Sequence, residues 1–157
     1  TTFPFALSLG ATRRGFTIGT LMWQVLISAY LTIVLGVLML IEVATGHWFS
    51  NFYIFDVNVL GAGNLAQLIP NVFLGTLSVM AISGVMGASW VRFGARGPQA
   101  IGLAVAIVVV AALIILIPSA EQIFAAFQLW WLGVLAVAVI VLSSVGTWLF
   151  LRPATVR

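Results

Sequence analysis

From Leu21 to Ile41 the chain reads LMWQVLISAYLTIVLGVLMLI, with no charged side chain anywhere in the run. A helix of about 20 such residues crosses the ~30 Å hydrocarbon core of a bilayer. The pattern recurs three more times, so spans are expected at about 20–41, 68–91, 101–117 and 130–151. Pro118 and Pro153 stand where the third and fourth should stop. The runs lack the period-two alternation of barrel strands and are too long for them. The expected fold is therefore all-α: a polytopic membrane protein with four transmembrane helices in a single membrane domain over 1–157. Composition agrees, because 63% of the residues are hydrophobic and 6% charged, too few charges to clothe a soluble domain, where roughly 25% is usual.

The charges orient the spans. Arg13 and Arg14 precede the first, Arg92 and Arg96 lie between the second and third, and Arg152 and Arg157 follow the fourth. In a four-span bundle these segments share one side. Glu42, Asp56 and Glu121 fall in the two connections on the other, at 42–66 and 119–128. Arginine collects on the cytoplasmic side of membrane proteins, so both ends are expected to be cytoplasmic. The arginine excess is thus a topology signal, and no nucleic-acid partner is implied. The connection 42–66 holds WFSNFYIF (Trp48 to Phe55), an aromatic cluster of the kind that lies at the membrane–water boundary. A turn is expected at Val59 to Asn64, and 119–128 reads as a short amphipathic link.

Several chemistries are excluded by what is missing. With no Cys, no Lys and His47 as the sole histidine, the chain cannot supply a Cys-bound metal site, a bis-histidine haem or the P-loop lysine. No Asp, Glu, Lys, Arg or His lies inside the expected spans, which argues against a proton relay or an ion-coupled transporter. Paired carboxylates and a Ser-His-Asp set are absent there too. No catalytic residue, metal site or cofactor is expected in this chain.

What polarity the spans contain is patterned. Gln24, Ser28 and Thr32 recur every four residues along one ridge. Asn71, Gly75 and Ser78 share a face of the second span, and Ser83, Gly84, Gly87 and Ala88 form overlapping small-xxx-small pairs. Small residues let helix backbones approach, and hydroxyls and amides bond across the contact. The set Gln24, Ser28, Thr32, Asn71, Ser78, Ser83, Gly84 and Gly87 therefore marks either helix packing or the lining of a substrate path. Ser143, Ser144 and Thr147 of the fourth span can bond back to their own helix.

Ahead of the first span lies FPFALSLGATRRGFTIGT, Phe3 to Thr20. It begins apolar, breaks at Gly10 and presents Arg13-Arg14, so an amphipathic elbow over 3–17 is expected at the inner surface. Its arginines suit anionic lipid headgroups or the carboxylates of a partner.

The segment Ala6-Leu7-Ser8-Leu9-Gly10-Ala11-Thr12-Arg13-Arg14-Gly15-Phe16-Thr17-Ile18-Gly19 resembles the cytoplasmic stretch that precedes a span in export-type (ABC-2) permease subunits of bacterial ABC transporters. The ending WLFLRPATVR is similar to the tails of actinobacterial members, with Pro153 where those often carry a second arginine. A related pattern marks lipoprotein-export permeases, but those carry large extracellular domains for which 42–66 is too short.

The resemblance implies a permease subunit of an ATP-driven exporter in the bacterial plasma membrane, acting on an amphipathic substrate. Its partners would be a separate ABC ATPase subunit, holding ATP and Mg, a second permease copy or homologous half, and membrane lipids. Phe5, Leu7, Leu9, Arg13, Arg14 and Phe16 would form the coupling elbow on which the ATPase docks. The four spans would be the last four of six, so earlier spans are expected beyond this chain and the elbow is expected to lack neighbours. From the residues alone, a four-span structural or accessory subunit of another membrane complex stays open.

Overall fold

The computed structural model describes residues 2–48, 53–57, 60–126, 128 and 130–152. Helix α1 spans Thr2–Ser8. It ends because Gly10 takes a left-handed conformation (φ 88°), which lets the Gly10 and Ala11 N–H groups reach back to the carbonyls of Leu7 and Ala6 at 3.0 and 3.1 Å. Two residues later the chain is helical again. Thr12 is extended and its hydroxyl accepts the Gly15 N–H at 3.0 Å, starting α2, Arg13–Ala44.

The expected elbow over 3–17 is therefore two things. Its first half is α1, and its second half, with Arg13, Arg14 and Phe16, is the opening of the first span. Gly19 does not interrupt that helix. At 1.5 Å per residue α2 is roughly 48 Å long, more than the ~30 Å of hydrocarbon, so it emerges from the bilayer as a rigid rod.

Helix α3, Leu65–Phe93, is capped by Asn64, whose side chain accepts the Ala66 N–H at 2.9 Å. It closes at Gly94 (φ 65°), and α4, Arg96–Leu116, begins after one intervening residue. A 3-10 turn (Ile117–Ser119), the short α5 (Ala120–Ala126) and α6 (Trp130–Leu151) complete the order. Among the described residues, four helices are long and apolar enough to cross a membrane: α2, α3, α4 with its 3-10 extension, and α6. The fold is the expected all-α polytopic one. The helices overrun the expected limits of the first two spans because hydropathy marks the length matched to lipid, whereas caps decide where a helix ends.

Helix α3 is central. It packs against α2 on one side and α6 on the other, these two also touch, and α4 leans chiefly on α3, beside the tight Gly94 turn. There Gly97 is required: a Cβ would come within 2.8 Å of the Ser89 carbonyl carbon and nearer still to its oxygen. Beyond Gly97 no residue of α4 is buried.

The packing inverts the soluble pattern. The buried side of α2 carries Thr17, Gln24, Ser28, Thr32 and Glu42, while Trp23, Leu26, Ile33 and Val37 face outward. Lipid solvates apolar side chains as well as a protein interior does, so polar and small residues gather between the helices. Two apolar clusters close the ends: Phe3, Ala88 and Leu151 at the arginine-bearing end, and Met39, Leu68 and Val72 at the acidic end.

Candidate functional site

At the arginine-bearing end, α1 folds back under the spans. Phe3 is 2% exposed, seated against Ala88 of α3 and Leu151 of α6, and edge-on to Phe16 of α2 with ring centroids 5.1 Å apart. Leu7 and Phe16 pack on the same cluster. The expectation that this segment lacks neighbours is thus corrected: one phenylalanine ties it to three spans. The other side of α1 is bare, with Phe5 65% exposed and Leu9, just past its end, 72% exposed. Of the six elbow residues, Leu7 and Phe16 turn inward, and Phe5 and Leu9 turn out.

In the sequence the two arginines are one feature; in the structure they are two. The Arg13 guanidinium donates to the Arg152 carbonyl. Arg92 joins it at the same helix end, donating to the Leu149 carbonyl at 3.4 Å and lying over the Phe93 ring at 4.7 Å. The last carbonyls of a helix have no partner within it and carry the negative end of its dipole. Arg13 and Arg92 therefore close the C-terminus of α6. Arg14, about 100° further round α2, is exposed and makes no hydrogen bond or ion pair among the described residues.

Above this floor runs a polar seam. The Gln24 side-chain amide donates to the Met80 carbonyl at 3.1 Å across the α2–α3 contact. Gly84 leaves room for it: a Cβ there would lie 2.8 Å from Gln24 Nε2 and 3.7 Å from Thr147 Oγ1. Gln24, Gly84 and Thr147 thus meet where α2, α3 and α6 converge. Thr32 donates to the Ser28 carbonyl at 2.7 Å, and Thr147 to Ser143 at 2.9 Å. Gln24 Oε1 and Ser28 Oγ are buried with no hydrogen-bond partner among the described residues.

The remaining members of the sequence-derived set sit elsewhere. Ser83 and Gly87, together with Gly84 and Thr147 of the seam, line a cleft of about 390 Å3 that opens beside Phe3 and Phe16, and the Ser83 hydroxyl is spent on the Val79 carbonyl. Ser78 donates to Leu74 at 2.7 Å, with the Ala136 carbonyl of α6 at 3.4 Å. Asn71 lies toward the acidic end, in a separate recess with Gly75 and Gly133. The structure does not bring all eight residues to one place. Gln24 and Ser78 reach carbonyls of a facing helix, and Ser28 and Thr32 lie buried on the packed side of α2. Gly84 serves both the Gln24 contact and the cleft that Ser83 and Gly87 line, and Asn71 lies in its own recess.

One organising residue escapes a reading by composition. Glu42 is fully buried at the end of α2, and its carboxylate accepts the N–H groups of Ile54 and Phe55 at 2.8 and 2.7 Å. It pins the connection to the span it follows. A glutamate in the last turn of a helix opposes the dipole, and that conflict is the sequence signal that a donor set compensates it. His47 stacks on Tyr53 at 4.1 Å with Nδ1 3.7 Å from Asp56, and both His47 and Trp48 have positive φ. The turn expected at Val59 to Asn64 is present from Leu60 on, where Gly61, Ala62 and Gly63 are all left-handed. Residues 49–52 of the aromatic cluster and 153–157 of the tail lie outside the described residues. Among the described residues no group of three His, Asp or Glu side chains is placed to hold a metal.

No protein-family model, curated protein or solved structure matches this chain. Its chemistry therefore rests on the geometry above: a short helix with a free apolar face, fastened to three spans, below a polar helix seam.

Proposed function

We propose that this chain is the transmembrane permease subunit of an ATP-driven exporter of the ABC type, in the bacterial plasma membrane with its arginine-bearing end in the cytoplasm. The observation that supports this reading is the two-sidedness of α1. Phe3 engages α2, α3 and α6 at once, while Phe5 and Leu9 project away from the bundle. A push on the free face reaches three spans through one contact. That is what an ATPase subunit needs if its closure is to shift the spans between two packings. Chemistry resides in the partner, which holds ATP and Mg; this chain transmits motion to an amphipathic substrate's path, completed by a second copy or homologous half. Arginine segregation supports the orientation.

The test is co-purification. Full-length permease should retain an ATPase subunit in detergent and stimulate its turnover, and Phe5→Glu with Leu9→Glu should abolish both while insertion persists. Unchanged retention in the double variant removes α1 as the docking site. Absence of any ATPase from the wild-type complex favours the accessory-subunit reading. Orientation is checked separately: a cysteine at Ala95 should label only from the cytoplasm and one at Thr45 only from outside.

A further inference from the structure

A glycerophospholipid offers, in order of depth, an anionic phosphate, ester carbonyls and acyl chains. A groove of about 410 Å3 between α2 and α6 offers the complementary groups in that order. Arg14 and Trp148 stand at its outer edge. Ser144 lies one turn deeper on α6, about 6 Å by helix rise, and Leu21 about 10 Å below Arg14 on α2. Ile18 fills the interval.

The donors here are unspent. Neither the Arg14 guanidinium, the Trp148 indole nor the Ser144 hydroxyl makes a hydrogen bond among the described residues, although most span hydroxyls bond back to their own helix. Nor does an acidic side chain of this chain reach them. Glu42 lies at the far end of α2, and Asp56 and Glu121 lie in connections at that same end.

We propose that the α2–α6 groove binds one anionic glycerophospholipid of the adjoining leaflet. The phosphate pairs with Arg14, the Trp148 indole lies at the headgroup boundary, Ser144 donates to an ester carbonyl, and a chain lies along Ile18 and Leu21. Guanidinium matches phosphate bidentately, and tryptophan belongs at this depth. Arg96, at the start of α4, provides an internal contrast. It too tops an apolar groove, but beneath it lie only Phe93, Gly97, Ala100, Ile101, Ala104 and Phe150, with no hydroxyl or indole to select a headgroup region. The lipid site stands independently of the exporter reading.

Native mass spectrometry of the full chain, titrated with dioleoyl phosphatidylglycerol or dioleoyl phosphatidylcholine, tests this. Wild type should hold one phosphatidylglycerol with about fivefold preference over phosphatidylcholine, the order expected for one arginine at a lipid surface. Arg14→Gln should erase the preference. Ser144→Ala should weaken retention of both lipids and leave their ratio unchanged, whereas Arg96→Gln should change neither. Because Arg14 and Ser144 are not core residues, circular dichroism should show all three variants folded. Preference surviving in Arg14→Gln, or lost in Arg96→Gln, would overturn the site and leave only general attraction between arginines and acidic lipid.

Discussion

Helices α2 and α4 are both long enough to cross a bilayer, and α4 is the more apolar of the two, yet α2 belongs to the packed core and α4 hardly does. In water the order would be reversed. In lipid an apolar surface gains little by meeting another protein helix, so association depends on close backbone approach and on polar groups that need partners. The ridge Thr17, Gln24, Ser28 and Thr32 gives α2 such groups, and Gly84 and Gly146 of the facing helices let it and α6 close on α3. From Ile101 to Leu116 α4 offers only aliphatic side chains and Gly102, and it is held by a single tight turn. Polarity, not hydrophobicity, sorts the spans of this protein.

That contrast is broken most severely at Gly97. Gly97→Val sets side-chain atoms against the Ser89 backbone, which cannot move aside without opening the turn, and should cost about 3 kcal/mol. Unfolding in mixed detergent micelles would measure it. Next comes Gly84→Leu, at the junction of α2, α3 and α6. The obstacle there is the end of the flexible Gln24 side chain, so partial accommodation should hold the loss to about 2 kcal/mol.

Gln24→Ala should cost about 1 kcal/mol, the scale of one interhelical hydrogen bond in a membrane with some lost packing. If the loss were instead comparable to that of Gly97→Val, the unpaired Gln24 Oε1 would have to bind something further in the native protein. The smallest effect is expected on α4 itself. Ile107→Ala and Val108→Ala remove exposed groups and should stay within about 0.5 kcal/mol. A loss of 2 kcal/mol or more at either position would show that another protein surface, and not lipid, covers α4.

Much of this architecture is legible without coordinates. Four charge-free runs dictate four spans because a bilayer core admits no other treatment of twenty apolar residues. The four-residue spacing of Gln24, Ser28 and Thr32 fixes a shared face because a helix turns about 100° per residue. The stop after α1 is written in Gly10. Each of these is a local rule, satisfied by neighbours in the chain.

Only the tertiary structure could decide what distant residues do to one another. Adjacent in sequence, Arg13 and Arg14 part company because one faces the carbonyls of α6 and the other faces outward. Phe3 and Phe5 look equivalent in an apolar segment, yet one is sealed against α3 and α6 while the other is bare. Glu42 passes for a loop charge until Ile54 and Phe55 arrive to donate to it. In each case the outcome depends on which helix stands opposite. Hydropathy along one chain cannot report that, because it records what a side chain prefers and not what it meets.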